Sequence, residues 1–220
     1  MTHEMLQFLE KIENNIDMGQ WDYAQKMIIK ANEYLEYNPD VNFKAFILSY
    51  SVELCRRRSN FEGAIELLQK IFSLENELTY THPISSAYNE YSQICRLQGN
   101  YAAALKYRKK QIEIAEESED PRDISTGYGE LGLLYTESGK YDEALKAVNK
   151  AIQISNNNTD HKLDIHYGYL GAIYSLTEEY DKAEYFFKEG IKLSIQNNNL
   201  WSLADQYNNL GNVSKKLNKN

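Results

Sequence analysis

The segment Tyr128-Gly-Glu-Leu-Gly-Leu-Leu-Tyr135 decides the fold, because the chain repeats it at a nearly constant interval. The segment Tyr167-Gly-Tyr-Leu-Gly-Ala-Ile-Tyr174 follows 39 residues later, and Tyr207-Asn-Asn-Leu-Gly211 follows after a further 40 residues. In each segment the tyrosine, leucine and glycine are spaced so that they share one face of an α-helix. Such self-similarity predicts a stack of equivalent helical units rather than one globular core.

A second pattern marks a partner helix in every unit. An alanine with an aromatic residue three positions before it recurs at intervals of 40, 40, 40 and 39 residues, at Ala24, Ala64, Ala104, Ala144 and Ala183. Two residues before each aromatic stands a glycine or a substitute, namely Gly19, Ser59, Gly99, Gly139 and Glu178. Glycine favours the left-handed conformation that ends a helix. We therefore expect the chain to reverse direction between two helices at each of these positions.

The period divides the chain into a single array of five and a half units. Their approximate bounds are 1–38, 39–80, 81–119, 120–158, 159–197 and a half unit at 198–220. Pro39, Pro83 and Pro121 all precede or open the first helix of a unit, where proline loses no helical hydrogen bond. Polar stretches at 156–160 and 197–199 are expected to break the chain at the two later junctions.

Composition excludes several classes of protein. The 220 residues carry a net charge of −8 and include three prolines and two cysteines, which excludes collagen-like chains and disulfide scaffolds. No apolar run approaches the roughly 20 residues of a membrane helix, and no signal peptide is visible at the amino end. A pI near 5.1 opposes nucleic-acid binding. We expect a cytoplasmic protein without membrane insertion.

The repeated residues resemble the signature of the tetratricopeptide repeat (TPR) family. Seven positions match that signature in order: Tyr128, Leu131, Gly132, Tyr135, Ala144, Val148 and Ala151. The resemblance implies an all-α, right-handed superhelix, or α-solenoid, of about five and a half helix pairs and roughly eleven helices. The first helix of each pair would line the concave face and the second helix the convex face.

The chain departs from the family signature in several places. Its period is about 40 residues where 34 is common, as in a variant that occurs in bacterial regulatory proteins, and the terminal proline of the signature is missing. The first three units carry Ile12, Val52 and Ser92 where glycine is usual, and Gly190 stands where alanine is expected.

The resemblance implies a peptide groove along the first helices. Its positions are Phe46, Ser49, Glu53 and Arg56 in the second unit, and Ser86, Asn89, Gln93 and Arg96 in the third. Arg56 and Arg96 are equivalent, and arginine and amide groups are natural ligands of a carboxylate, so an acidic peptide is one expected partner. The alternative is that the arginines form a solvated face that neutralises local acids: Arg56, Arg57, Arg58, Arg96 and Arg108.

In the later units the same groove positions are small or apolar. Gly129 and Leu133 in the fourth unit, with Gly168 and Ala172 in the fifth, predict a shallow apolar trough that could receive a large apolar side chain. The alternative is that these glycines are needed for close helix packing. Asn208 and Asn212 supply the groove positions of the half unit.

Several specific activities are not expected. The family's chaperone-type carboxylate clamp needs lysine and asparagine where this chain has Leu9/Glu13, Ser49/Glu53 and Asn89/Gln93. No nucleophile–base pair, phosphate loop or cofactor motif is recognisable, and His161 and His166 are too poorly spaced to share a helical face as metal ligands. We expect neither an enzyme nor a resident metal or cofactor.

The sequence therefore predicts a scaffold that binds a protein or peptide. The resemblance suggests the sensing or interaction region of a larger cytoplasmic bacterial signalling or regulatory protein; the alternative is a stand-alone regulator that closes around a short signal peptide. Homodimerisation through an end of the solenoid is a further expectation. The half unit carries a full Tyr-x-x-Leu-Gly signature, so a second helix with an aromatic at or next to position 221 would be expected to follow.

Overall fold

The structure, a computed structural model, describes residues 1–158 and 162–217. Within these residues the chain forms eleven α-helices, one short 3-10 helix and no strand, so the all-α prediction and the expected number of helices are confirmed. The helices are α1 (His3–Asp17), α2 (Trp21–Tyr37), α3 (Val41–Arg57), α4 (Phe61–Ser73), α5 (His82–Leu97), α6 (Tyr101–Glu117), α7 (Pro121–Glu137), α8 (Tyr141–Asn158), α9 (Leu163–Leu176), α10 (Tyr180–Gln196) and α11 (Leu200–Leu217). The 3-10 helix is Glu75–Glu77.

The helices pack as consecutive pairs within two compact units. The N-terminal unit spans residues 1–114 and contains the pairs α1–α2 and α3–α4, then α5 and most of α6. The C-terminal unit spans residues 115–220 and contains the pairs α7–α8 and α9–α10, then α11. Within each unit the first helices of successive pairs also contact one another, as α1 with α3, α3 with α5, and α7 with α9.

The five chain reversals lie where the sequence predicted them. Gly19, Gly99 and Gly139 have φ of 71°, 74° and 71°, in the left-handed region that glycine tolerates best. Ser59 and Glu178 adopt the same conformation, with φ of 60° and 64°, although they carry a Cβ atom. These two residues are therefore strained replacements for glycine at equivalent turns.

The helix starts also follow the sequence. Asp40 caps α3 by accepting a hydrogen bond from the amide of Phe43 at 2.8 Å, and Pro121 is the first residue of α7. Asn199 caps α11 through the amide of Ser202 at 3.2 Å. The break expected from residue 156 comes later, because α8 runs to Asn158. The rest of that polar stretch, with His161, lies outside the described residues.

Small residues let the two helices of a pair approach closely. A Cβ atom on Gly132 would collide with the side chain of Val148, and one on Gly171 would lie 2.7 Å from the ring of Phe187. At the equivalent position of α5, Ser92 donates a hydrogen bond to the carbonyl of Ala104 at 2.9 Å. Ser92 is thus accommodated by a polar contact with the second helix of its pair.

The signature tyrosines of the C-terminal unit pack around its core. Ala144, Val148, Leu170 and Ile173 form a buried apolar cluster in this unit. The partly buried rings against it are the signature residues Tyr135, Tyr141, Tyr167 and Tyr174, together with Tyr169, which is not part of the signature. The tyrosines of the repeat therefore have a largely structural role, because their rings fill the seams between helices.

Candidate functional site

The first helices of the N-terminal unit enclose a cavity of about 150 Å³ between α1, α3 and α5. It is lined by Glu13, Ile16, Asp17, Phe46, Ser49, Tyr50, Glu53, His82 and Ser86. Four of these are positions where the resemblance implied a peptide groove, namely Phe46, Ser49, Glu53 and Ser86. The cavity is well below the roughly 300–1,000 Å³ of small-molecule sites, so it suits one side chain of a larger partner.

Three carboxylates surround this cavity. Glu13 and Asp17 stand on the exposed edge of α1, and Glu53 is half-buried on α3. Partial desolvation and the nearby charge of Glu53 raise the pKa of Asp17, and Arg57 opposes them. Burial, followed by the charges of Glu13 and Glu53, also raises the pKa of Tyr50, whose hydroxyl is hydrogen-bonded to Glu13. The cavity therefore carries an excess of negative charge that a cation would relieve.

Aromatic rings form one wall of the cavity. The ring of Phe46 stacks on the imidazole of His82, with centroids 5.6 Å apart and planes 21° apart. Tyr80 packs edge-on against the same phenyl ring at 6.3 Å. A wall of aromatic rings beside carboxylates provides contacts for both the aliphatic stem and the charged end of a lysine or arginine side chain.

Arg56, a predicted groove residue, is engaged inside the protein. Its Nε donates to the carboxylate of Glu90 on α5, and the two side chains are 17% and 6% exposed. Burial raises the pKa of Glu90, and Arg56 opposes that change. Arg56 therefore does not belong to a solvated face, whereas Arg57 and Arg58 make surface ion pairs with Glu53 and Asp22.

Asn89, a second predicted groove residue, is held by a buried arginine. The Nη1 of Arg108 on α6 donates to the side-chain oxygen of Asn89 at 2.7 Å and to that of Gln111 at 3.3 Å. Arg108 is only 1% exposed, so its assignment to a solvated face is wrong. The remaining predicted residues of α5, Gln93 and Arg96, are half-buried and do not line the cavity of α1, α3 and α5.

In the C-terminal unit one of the two glycines of the predicted trough, Gly129, is covered by a neighbouring side chain. The ring of His166 lies 2.5 Å from where a Cβ on Gly129 would stand, and the side chain of Gln206 lies 3.5 Å from the corresponding point on Gly168. Ala172 packs against the buried cluster of α10 and α11. Close packing under His166 explains Gly129, so the expectation of an open trough above that glycine is wrong, whereas a Cβ on Gly168 would only be in ordinary contact with Gln206.

The last three predicted site residues differ in exposure. Leu133 is half-buried on α7, whereas Asn208 and Asn212 are exposed on α11. All three belong to the C-terminal unit, whereas the residues that line the acidic cavity belong to the N-terminal unit.

The cavity includes residues that sequence reasoning did not select. Glu13 stands 40 residues before Glu53, so the repeat itself carries a signal for it. Asp17, Tyr50 and His82 reach the cavity because α1, α3 and α5 pack side by side, which no spacing within one helix reveals.

Two further findings concern only the described part of the chain. It contains no group of three or more histidine, cysteine or acidic side chains that could hold a metal ion. None of its helices combines the length and apolar character needed to cross a membrane.

The fold defines a class of helical-repeat protein made of stacked helix pairs. The family model described as tetratricopeptide repeat matches residues 83–157 and 123–196, which together are just over half of the 220 residues. The chain belongs to the tetratricopeptide repeat family, as its repeated residues indicated.

Several solved structures share the fold at low sequence identity. BtubC from P. vanneervenii is 17% identical, with a TM-score of 0.70, covering 90% of this chain and 83% of its own. The second is a signal transduction ATPase with numerous domains (STAND) from Pyrococcus horikoshii, which has a tetratricopeptide repeat sensor. It is 20% identical with a TM-score of 0.76, and the match covers 92% of this chain and 31% of the STAND chain. A Rap protein complexed with competence and sporulation factor is 20% identical with a TM-score of 0.67, and the match covers 100% of this chain and 67% of the Rap chain.

These likenesses establish the fold alone. The chain corresponds to less than a third of the length of the STAND protein. No curated protein matches the sequence.

Proposed function

We propose that the chain is a scaffold whose first helices bind an extended peptide or protein segment, with a basic side chain held in the cavity of α1, α3 and α5. The acidic, aromatic-walled cavity carries this proposal. The negative charge of its three carboxylates is only partly neutralised, because Arg57 forms an ion pair with Glu53 while Arg56 forms its ion pair with Glu90. A lysine or arginine head would relieve the repulsion among Glu13, Asp17 and Glu53.

An acidic partner is the second candidate. It was expected from Arg56, Arg96, Asn89 and Gln93, but Arg56 and Asn89 now have internal partners. Arg96 and Gln93, both half-buried on α5, are the other two predicted groove residues of this surface, and guanidinium and amide groups are natural ligands of an acidic side chain. An acidic partner would thus depend on Arg96 and not on the cavity.

We also propose two kinds of protein in which this scaffold would act. The likeness to the repeat sensor of a STAND ATPase supports a sensing region within a larger cytoplasmic signalling or regulatory protein. The likeness to a Rap protein that was solved with competence and sporulation factor supports the alternative, a stand-alone regulator that responds to a short peptide.

A selection from a random-sequence peptide library tests the proposal without a known ligand. Peptides captured by the full chain should be enriched in lysine or arginine, and this enrichment should disappear with Asp17→Asn combined with Glu53→Gln. Arg96→Ala is the matched control and should leave the enrichment intact. Enrichment in acidic residues that is lost with Arg96→Ala would instead favour the second candidate.

A further inference from the structure

The connection between α4 and α5 departs from the repeat. It spans residues 74–81, whereas the other connections that the structure describes in full are three residues long. The extra length arises because α4 ends after 13 residues, while α2 and α6 each continue for 17. The 3-10 helix Glu75–Glu77 therefore stands, in the repeat, where the last turn of α4 would be.

Asn42 holds this connection against α3. Its side-chain oxygen accepts hydrogen bonds from the backbone amides of Thr79 at 2.9 Å and Tyr80 at 3.3 Å, and Asn42 is only 8% exposed. The ring of Tyr80 packs edge-on against Phe46, which is also on α3. Polar and aromatic contacts therefore attach the connection to α3 within the N-terminal unit.

A cavity of about 460 Å³ lies between this connection, the end of α2 and the start of α3. Its volume is within the roughly 300–1,000 Å³ of small-molecule sites, in contrast to the cavity of α1, α3 and α5. We call it the α2–α3 cavity, and it is lined by Asn32, Leu35, Glu36, Pro39, Asp40, Val41, Lys44, Leu74 and Glu77.

Aliphatic side chains form one part of the lining. Leu35, Val41 and Leu74 are half-buried, and Pro39 completes this surface between α2 and α3. Placing an apolar group against such a surface is favourable, roughly in proportion to the apolar area that is removed from water. The α2–α3 cavity therefore suits a ligand with an apolar body.

Charged side chains of both signs stand beside the aliphatic surface. Glu36, Glu77 and Lys44 are exposed, and within the described part of the chain none of these three side chains forms an ion pair or a hydrogen bond. Glu36 lies in the last turn of α2, which contains no basic residue, so the helix end adds to the negative potential there. Asp40 is already engaged, because it caps α3 and lies 3.5 Å from the α-amino group of Met1.

We infer that the α2–α3 cavity binds a free amino acid with a large apolar side chain. The ammonium group of this ligand pairs with Glu36 and Glu77, and its carboxylate pairs with Lys44. Its side chain lies against Leu35 and Leu74. Such a ligand complements every kind of group in the lining, whereas a fatty acid would leave the two carboxylates without a partner and a simple organic amine would leave the lysine without one.

Three probes that differ by one charge test this inference. They are L-phenylalanine, its N-acetyl derivative, which lacks the ammonium group, and its amide, which lacks the carboxylate. Each is titrated into the full chain, and binding is followed through the backbone amide resonances by NMR. We expect saturable shifts with phenylalanine, centred on residues 35–44 and 74–77, and an affinity that is about fivefold or more lower for each derivative.

Variants assign each charge of the ligand to its partner. Lys44→Ala should weaken the binding of phenylalanine about fivefold and leave that of the amide unchanged. Glu36→Gln combined with Glu77→Gln should weaken the binding of phenylalanine by a similar factor and leave that of the N-acetyl derivative unchanged. Glu75→Gln, an exposed substitution in the same 3-10 helix outside the lining, is the matched control and should change the affinity by less than about twofold.

Three outcomes would overturn the proposal: no saturable binding of phenylalanine, shifts centred on other residues, or equal affinity for the three probes. Circular dichroism first checks that each variant is folded. The α2–α3 cavity shares no lining residue with the cavity of α1, α3 and α5. A failure here therefore leaves the proposed binding of a basic side chain to be decided by its own experiment.

Discussion

The side-chain amide of Gln206 lies where a Cβ atom on Gly190 would have to stand. Gln206 is 1% exposed, and its Nε2 donates to the hydroxyls of Ser194 and Ser202 at 3.0 and 2.8 Å. The carboxylate of Asp164 accepts a hydrogen bond from Ser194 at 2.8 Å in the same buried cluster. The departure from the family's alanine at position 190 thus has a physical cause: the space is needed for a polar cluster that joins α9, α10 and α11.

Replacing Gly190 by alanine should destabilise the chain despite the higher helix propensity of alanine. The added methyl group displaces Gln206 from its buried partners, which we expect to lower the free energy of unfolding by about 1–3 kcal/mol. Urea denaturation followed by circular dichroism measures the change. Gly211→Ala is the matched control, since within the described part of the chain a Cβ on Gly211 would meet no neighbour within 4 Å, and it should be neutral or stabilising by up to about 1 kcal/mol. Equal effects of the two substitutions would contradict this account of Gly190.

Glu178→Gly should stabilise the turn between α9 and α10. Glu178 has φ of 64°, and glycine removes the strain of a side chain in that conformation. After the entropic cost of glycine, the gain is expected to be about 0.5–1 kcal/mol. Thermal denaturation of Glu178→Gly and of Thr177→Gly provides the comparison, because Thr177 has φ of −88° and should only lose stability. A drop in melting temperature for Glu178→Gly would argue against strain at this turn.

Arg56→Ala should destabilise the N-terminal unit strongly at neutral pH. Glu90 would be left as an uncompensated buried carboxylate, which costs about 3–5 kcal/mol. Arg58→Ala, which breaks a surface ion pair, should cost less than about 1 kcal/mol. Chemical denaturation of both variants and the wild type measures these differences.

The loss caused by Arg56→Ala should shrink as the pH falls. Burial raises the pKa of Glu90 above its ordinary value, and loss of Arg56 raises that pKa further. The protonated carboxyl is then favoured in the folded state, so the folded protein gains stability as the pH drops through the raised pKa. A destabilisation that is independent of pH would show that Glu90 is not left charged and buried.

Glu53→Gln should lower the pKa of Asp17. Desolvation and then the charge of Glu53 raise this pKa, while Arg57 lowers it; the substitution removes one raising charge and also releases Arg57. Carboxyl chemical shifts followed by NMR across an acidic titration measure the pKa in both proteins. The same charges make the carboxylate form of Asp17 less favourable in the folded state, so its contribution to stability falls as the pH rises through the raised pKa. An unchanged pKa in Glu53→Gln would mean that the two carboxylates do not interact.

The repeat made most of the fold predictable. The tyrosine, glycine and alanine positions predicted eleven helices and the turns at Gly19, Ser59, Gly99, Gly139 and Glu178, because those residues act within one helix or one turn. The pairing of side chains between neighbouring repeats was not predictable in the same way. Arg56 and Glu90 are 34 residues apart, and nothing in either helix alone shows that they meet.

The candidate site was only partly predictable for the same reason. The positions of Glu53, Ser49 and Phe46 on the lining of the cavity follow from the register of α3. Gly129 is covered by the imidazole of His166, which belongs to the following repeat. This is a contact between helices, and a single periodic pattern does not specify it.

The central claim is that the cavity of α1, α3 and α5 holds a basic side chain, and a double-mutant cycle tests it most directly. The peptide selected from the random library is measured with its basic residue intact or replaced by glutamine, against the wild type and against Asp17→Asn combined with Glu53→Gln. We predict a coupling energy of about 1 kcal/mol or more, and a coupling near zero for the same peptide residue with Arg96→Ala. A coupling near zero with the carboxylate variant would contradict the claim.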